Sequence, residues 1–283
     1  MAAQSELFEI DTGVAEVLHE PDGSMVLLVN GVPSSHIVPG DPTRLDFEYM
    51  RWIAAVVDSF SSAGRIWAAQ RLTHLGGGAC TLARYFAHAW PGSRNTVVEI
   101  DSELALMARS LFDVPRAPAV KIRVGDAREE TDGFKPATRD VIIRDVFTSA
   151  TTPRDLTTVE FYAAARASLS EDGLYIANCG SHADLKEAKE ELAGMNEVWP
   201  HIAVVADPPM LKGRRYGNIV LIAANQPLTA TADLTRSLLK GAVPAQFKDG
   251  QWARRLATTP RHDHPARPDR DDRGPVDAGQ ETP

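Results

Sequence analysis

Residues 72–101 read LTHLGGGACTLARYFAHAWPGSRNTVVEID, and their reading decides the fold. A short apolar run, residues 72–75, leads into Gly76, Gly77 and Gly78. Leu82, Tyr85 and Phe86 then recur at helical spacing, and residues 95–100 form a second strand bearing Glu99, with Asp101 just beyond. Glycine at such a turn lets backbone come into contact with a ligand, because no Cβ intervenes. An acid at the end of the second strand sits where a ribose hydroxyl pair is gripped. The stretch therefore predicts a nucleoside-binding α/β domain.

Working outward, strands over 120–124, 140–144, 174–179, 202–206 and 218–224 alternate with helices over 102–112, 156–169 and 183–195. That alternation predicts a mostly parallel, Rossmann-like sheet with helices on both faces. The last two strands are joined by a short connection containing Gly213 and are expected to pair antiparallel. Apolar positions at Leu45, Tyr49, Trp52, Ile53, Val56 and Val57 predict a helix over 45–60 that covers the sheet. Ahead of it, β-rich runs flank the turn Pro21-Asp22-Gly23, and Asn30-Gly31 reads as a tight hairpin turn. The expected organisation is an N-terminal β-strand domain over 1–42, a Rossmann-like domain over 43–257 and a disordered tail over 258–283. The first is a packing or dimer-forming element, or a lid. Residues 234–256 read as one or two short helices. Proline, arginine and aspartate dominate the tail, which buries too little apolar surface to offset its ordering entropy; His262 and His264 there are read as solvated.

The chain has 283 residues and a formal net charge of −8, with a pI near 5.5. An acidic balance argues against nucleic acid as a partner, whereas an acidic pocket suits a cation such as a polyamine. Two cysteines, Cys80 and Cys179, make neither a disulfide framework nor a structural zinc site, and a reduced, cytoplasmic setting fits. The opening run MAAQSELFEIDTG lacks the apolar core of a signal peptide. No stretch approaches the ~20 apolar residues of a membrane helix, so no membrane is expected, and with only two cysteines no metal is expected.

Glu99, Asp101, Asp126 and Asp145 fall on successive strand ends, which carries more weight than any one acid alone. The glycine run GGGACTLA departs from G-x-G-x-x-G, and no arginine or lysine offers a pyrophosphate clamp. A ligand with a sulfonium tail needs no phosphate cradle. This points to S-adenosylmethionine or a relative, with Glu99 on the ribose hydroxyls and Asp126 accepting from the adenine amino group.

From about residue 14 to 228 the sequence resembles the polyamine aminopropyltransferases, of which spermidine synthase is the type. The matching pieces are NGV at 30–32, Tyr49, GGG with Arg84 behind it, VEID at 98–101, GDA at 125–127, Asp145, and EFY at 160–162. The resemblance implies a small N-terminal β domain, a methyltransferase-type Rossmann fold, usually a homodimer, and a role in polyamine biosynthesis. It also implies binding of decarboxylated S-adenosylmethionine and transfer of an aminopropyl group to a diamine. Gly76, Gly77, Gly78, Glu99, Asp101, Asp126, Ala127 and Asp145 then hold the nucleoside, and Tyr49, Thr148 and Tyr216 face the substrate.

Four positions depart from the family pattern. Ala79 stands where an acid helps hold the aminopropyl end, and Thr148 where the general base is expected. Ser34 replaces a nucleoside-binding glutamine, and Arg51 an acid. Aminopropyl transfer needs an amine freed of its proton, which a carboxylate can accept and a threonine hydroxyl cannot. Ordinary use of putrescine is therefore expected to be weak, with Asp145 the remaining candidate base. A methyltransferase is the alternative, because Ala79 removes an acid that would face the carboxylate of S-adenosylmethionine. A non-catalytic ligand-binding dimer is the third reading. For His36, His74, Cys80, Trp52 and Trp67, packing is the simpler role, and a turn explains Tyr216 as well as a pocket does.

Overall fold

A computed structural model describes residues 4–62, 70–148 and 151–263. Trp67, His264 and the tail beyond residue 263 lie outside the described residues. Strands β1 (Gln4–Ile10), β2 (Gly13–His19), β3 (Met25–Val29) and β4 (Val32–Ile37) form an antiparallel sheet in chain order. The β3–β4 hairpin turns at Asn30 and Gly31, whose φ values of 51° and 78° are what a two-residue hairpin with right-handed twist requires. One face of this sheet is apolar. Its Ala15, Val17, Leu27 and Ile37 pack with Ala83 of α2 (Thr81–Ala89) and with Leu104, Met107 and Ala108 of α3 (Ser102–Leu111). The N-terminal sheet thus shares a core with the helices that flank the glycine turn.

The second sheet contains β5 (Arg71–Leu75), β6 (Arg94–Glu99), β7 (Val120–Val124), β8 (Arg139–Arg144), β9 (Leu169–Ser181), β10 (His201–Ala206), β11 (Gly217–Ala224) and β12 (Gln246–Lys248), in the order β12-β10-β11-β9-β8-β5-β6-β7. Strands β5 to β9 run parallel, and β10 pairs antiparallel with β11, as the short connection predicted. Helix α1 (Glu48–Ser62) lays Trp52, Ile53, Val56 and Val57 against Val141, Ile143, Leu174 and Ile176. On the opposite face, Phe161 and Ala165 of α5 (Val159–Ser168) and Ala188 and Leu192 of α6 (Lys186–Val198) cover Ile142, Tyr175 and Ala177. Each fully buried aliphatic or phenyl side chain contributes roughly 1.5–3 kcal/mol relative to exposure.

Three local differences from expectation have physical causes. The helix read over 156–169 begins as a 3-10 turn, Arg154–Thr157, and α5 starts only after Thr158, whose hydroxyl caps Phe161 N at 3.3 Å. Residues 234–256 hold α8 (Ala232–Leu238) and α9 (Gly250–Leu256) with β12 between them, three residues being too few to show alternation. Between β10 and β11 lies a one-turn helix, α7 (Pro208–Leu211), started by the Asp207 cap and Pro208.

Residues 258–263, grouped with the tail by composition, lie against the body. Arg261 O accepts from Val159 N at 2.8 Å. The Arg128 guanidinium donates to both oxygens of Asp263 at 2.8 and 2.7 Å. These contacts are backbone and ionic hydrogen bonds, which is why an apolar pattern did not reveal them. Among the described residues no helix is long and apolar enough to cross a membrane.

Candidate functional site

Strand order reverses between β5 and β8, and in an open α/β sheet the crevice at such a reversal is the ligand-binding position. Gly76 ends β5 there with φ of 92°, and its N donates to Val98 O at 2.9 Å. A Cβ on it would lie 2.2 Å from the Asp145 carbonyl oxygen, so only glycine fits. Glu99, at the end of β6, reaches back to this turn. Its Oε2 accepts from Gly77 N at 2.8 Å and Gly78 N at 3.2 Å, and its Oε1 from Asp101 N at 3.1 Å. Burial raises the carboxyl's pKa, and the three backbone donors offset part of that rise.

Asp145 follows β8, with its N bonded to Leu75 O at 2.8 Å. Its Oδ2 accepts from the Tyr49 hydroxyl and its Oδ1 from Asn178 Nδ2, both at 2.9 Å. Burial pushes the Asp145 carboxyl up, against the pull of these two donors. The Tyr49 phenol is raised by burial first and by the Asp145 charge second. Each carboxylate oxygen retains a second acceptor direction, so Asp145 has capacity for a further donor.

The remaining expected site residues follow β6, β7 and β8 or precede β11. Asp126 caps α4 (Ala127–Asp132), its Oδ1 accepting from Arg128 N at 2.7 Å and Glu129 N at 3.0 Å. Ala127 is buried at the start of that helix. Asp101 is committed to structure: it caps Leu104 N at 2.8 Å and accepts from both Thr12 N and Thr12 Oγ1 at 2.7 Å, tying the β1–β2 turn to α3. Thr148 is exposed in a short bridge with Thr151. Tyr216, half exposed, stands beside His182, with ring centroids 5.2 Å apart. It precedes β11 where that strand meets the carboxyl end of β9, the same edge of the sheet on which Asp145 follows β8.

Around the glycine turn the space is small. A cavity of about 50 Å3 is bounded by Ser34, Ser35, Gly76, Gly77, Gly78 and Asp145 among others. The Ser35 hydroxyl accepts from Ala79 N at 3.1 Å, and a Cβ on Gly78 would meet both serine hydroxyls at 2.9 Å. The β4 segment therefore sits directly on the turn. Ala79 itself is fully buried in the apolar cluster with Leu27, Ile37 and Ala83. Its methyl group packs there rather than lining the cavity, against the expectation that position 79 faces the ligand tail.

The chain matches no family model. It is 52% identical to a probable spermidine synthase from Corynebacterium glutamicum, covering 92% of this chain and 97% of that one, with a TM-score of 0.88. It belongs to the spermidine synthase family. A polyamine aminopropyltransferase from Neisseria meningitidis is 31% identical over 110 residues, 38% of this chain and 41% of that protein, so the match spans about two-fifths of that relative's length. A spermidine synthase solved in complex with the transition state analogue AdoDATO shares the fold at 20% identity and a TM-score of 0.60, over 90% of this chain and 85% of that one.

Within the spermidine synthase family frame, the packing readings hold for several side chains. His74 is buried and bonded to Asn95 Oδ1 at 3.0 Å, and burial lowers its pKa to about 4. Burial, with Glu99 nearby, pushes the Cys80 thiol up to about 12, the opposite of an activated thiol. Arg51 bonds the carbonyls of Leu45 and Asp46 at 2.9 and 2.6 Å, holding the entry to α1. His36 lies 3.0 Å from Ser24 Oγ and 2.5 Å from Asp46 Oδ2, on β4. Sequence reasoning missed Asn178, Ser35 and Thr12. Asn178 was detectable as a lone amide in the apolar run of β9. No group of three metal-ligating side chains occurs among the described residues.

Proposed function

We propose that the chain binds an adenosyl nucleoside of the decarboxylated S-adenosylmethionine type at the β5–β8 crevice and acts as a transferase with weak use of free putrescine. The observation that carries this reading is the pairing of a buried Glu99 on the glycine-turn amides with Asp145 on the other side of the same turn. Glu99 is the group for the ribose hydroxyls, and the uncapped Oδ2 of Asp126 for the adenine amino group. Gly76, Gly77 and Gly78 lie along the sulfonium side, with Asp145 as the floor. Asp101 is the less accessible of the two acids, 1% exposed against 8% for Glu99, and is assigned the structural role of holding Leu104 and Thr12. Ala127 stays at the edge of the nucleoside site as a backbone contact.

The donor set fits such a ligand. Ser34 and Ser35 line the small space of about 50 Å3 at the glycine turn, so this part of the N-terminal sheet borders the sulfonium side of the nucleoside. Transfer forms a carbon–nitrogen bond as a carbon–sulfur bond breaks, and the attacking nitrogen must have lost a proton. Asp145, its pKa raised by burial, is the carboxylate available to receive it. Thr148 brings neither a base nor a charge for a diammonium chain. Methyl transfer is the weaker reading, since the Ala79 methyl packs in the apolar cluster and the likeness to methyltransferases is distant.

Purified protein supplied with decarboxylated S-adenosylmethionine and putrescine tests the reading. Binding of the nucleoside with slow spermidine formation supports it. Robust turnover refutes the weakened amine site, and absence of nucleoside binding refutes the transferase reading in favour of a dimer with no such ligand. We read the oligomer as a homodimer and the setting as cytoplasmic.

A further inference from the structure

A second cleft, of about 270 Å3, lies where the chain after β4 passes α2 and the segment leaving α3. Small or cyclic residues, Gly40, Pro42, Ala87, Pro115 and Ala119, make up most of its lining, which His88 and Asp113 complete beside Arg84. Arg84 of α2 lines it and is only 4% exposed. Its Nε is buried with no hydrogen-bond partner among the described residues. The other deeply buried arginine, Arg144, is paired with Glu191 at 2.7 Å. For Arg84 the neighbouring acid is Asp113, which acts through space only and is itself exposed. An exposed carboxylate is screened by water and balances a buried cation incompletely. A buried guanidinium nitrogen without an acceptor is costly, and because Arg84 lines the cleft, the rest of its guanidinium is the part an acceptor from solution can approach.

We propose that this cleft binds a small organic carboxylate, with its anionic group on Arg84 and its apolar body against Pro42, Ala87 and Pro115. The shape argues for an organic body: an inorganic anion would satisfy the guanidinium and leave the apolar walls bare. A volume of about 270 Å3 is near the lower limit of roughly 300 Å3 for small-molecule sites, which suits one ring or a short chain. Arg84 N donates to Cys80 O at 2.9 Å, and Cys80 caps α2 directly after the glycine turn. The occupant therefore rests on the helix that also carries the nucleoside turn, although the proposal does not depend on what that turn binds.

The test uses the full chain, with benzoate and hexanoate as carboxylate probes, benzamide as the neutral control and inorganic phosphate as the simple anion. Calorimetry and thermal melting are run on wild type, Arg84→Met and Ala87→Phe, with circular dichroism to establish folding. Arg84→Met keeps the length of the side chain and removes the charge; Ala87→Phe fills the cleft and leaves Arg84 in place. Saturable binding of at least one carboxylate is expected, with benzamide weaker by about tenfold or more, as a lost charge-assisted bond implies. Ala87→Phe should abolish it, and a folded Arg84→Met should weaken it about tenfold or more by the same charge-assisted bond. No saturable binding of either carboxylate overturns the proposal. So does phosphate binding as tightly as the carboxylates, or unchanged binding by a folded Ala87→Phe.

Discussion

Removing the carboxylate of Glu191 is expected to be among the most destabilising single changes in the chain. Glu191 is 1% exposed and Arg144 is fully buried. Glu191 Oε2 accepts from Arg144 Nη2 at 2.7 Å and from the Tyr162 hydroxyl at 2.9 Å. Burial, the largest single influence, lowers the Arg144 pKa, and Glu191 together with Tyr175, Tyr162 and Cys179 more than reverses this. After Glu191→Met, Arg144 keeps one long bond, 3.3 Å to Asn178 O, while its Nε and Nη1 already lack partners. An uncompensated buried charge costs about 3–5 kcal/mol. For a chain of this size that lowers Tm by about 10 °C, at roughly 2–4 °C per kcal/mol. Arg144→Met in the same chain removes the stranded charge, and adding Tyr162→Phe removes the orphaned hydroxyl. The triple variant should recover to within about 1 kcal/mol of wild type, since apolar replacement of a buried pair is often neutral or better. Urea unfolding followed by circular dichroism measures all three. A loss below about 1 kcal/mol for Glu191→Met, or a triple variant no better than the single, refutes the reasoning.

Other expectations follow from the site. His74 is neutral in the fold, with a pKa near 4 against 6.5 in the open chain, so the unfolded state takes up the extra proton as pH falls. Its stability contribution is complete above pH 6.5 and lost towards pH 4, about 3 kcal/mol at 1.36 per pKa unit; His74→Gln should flatten that part of the stability–pH curve in denaturant titrations. Tyr49→Phe removes one of two donors to a half-buried Asp145 and should cost about 1.5–3 kcal/mol, with Asp145 raised further in an NMR carboxyl titration. Gly76→Ala, with its Cβ against the Asp145 carbonyl at 2.2 Å, should lower Tm more than any substitution at exposed Gly40, where no atom lies within 4 Å. Thr148→Asp restores an acid at the family's base position and should raise the rate with putrescine by about tenfold or more, general-base contributions running from roughly a hundredfold upward; an unchanged rate argues that Thr148 is not at the amine.

The sheet was legible because Leu72, Val97 and Ile143 repeat as apolar runs between glycine and acid signals, and both periodicity and turn chemistry point the same way. The antiparallel last pair was legible from the short link around Gly213. The destinations of side chains were not. Glu99 and Asp101 stand two residues apart on a strand end and look equivalent in sequence. Only the packing of the β1–β2 turn on α3 shows that Thr12 takes Asp101 while Glu99 turns to the glycines. Ala79 was assigned to the ligand by its place after GGG, but the left-handed turn at Gly78 and Cys80 directs its methyl into the core. The docking of Arg261 and Asp263 depended on partners more than 100 residues away, Thr157, Thr158 and Arg128, which no local window contains.

The central claim is tested most directly by calorimetry with 5′-methylthioadenosine on wild type and Glu99→Gln. Glutamine keeps an oxygen for the amides of Gly77 and Gly78, so the turn survives, but it loses the charge that grips a ribose hydroxyl pair. The account predicts saturable binding by wild type, at least about tenfold weaker binding by Glu99→Gln, and a folded variant whose unliganded Tm falls modestly, because the amide NH2 cannot accept from Asp101 N. The same affinity in both proteins, or none in wild type, would contradict it.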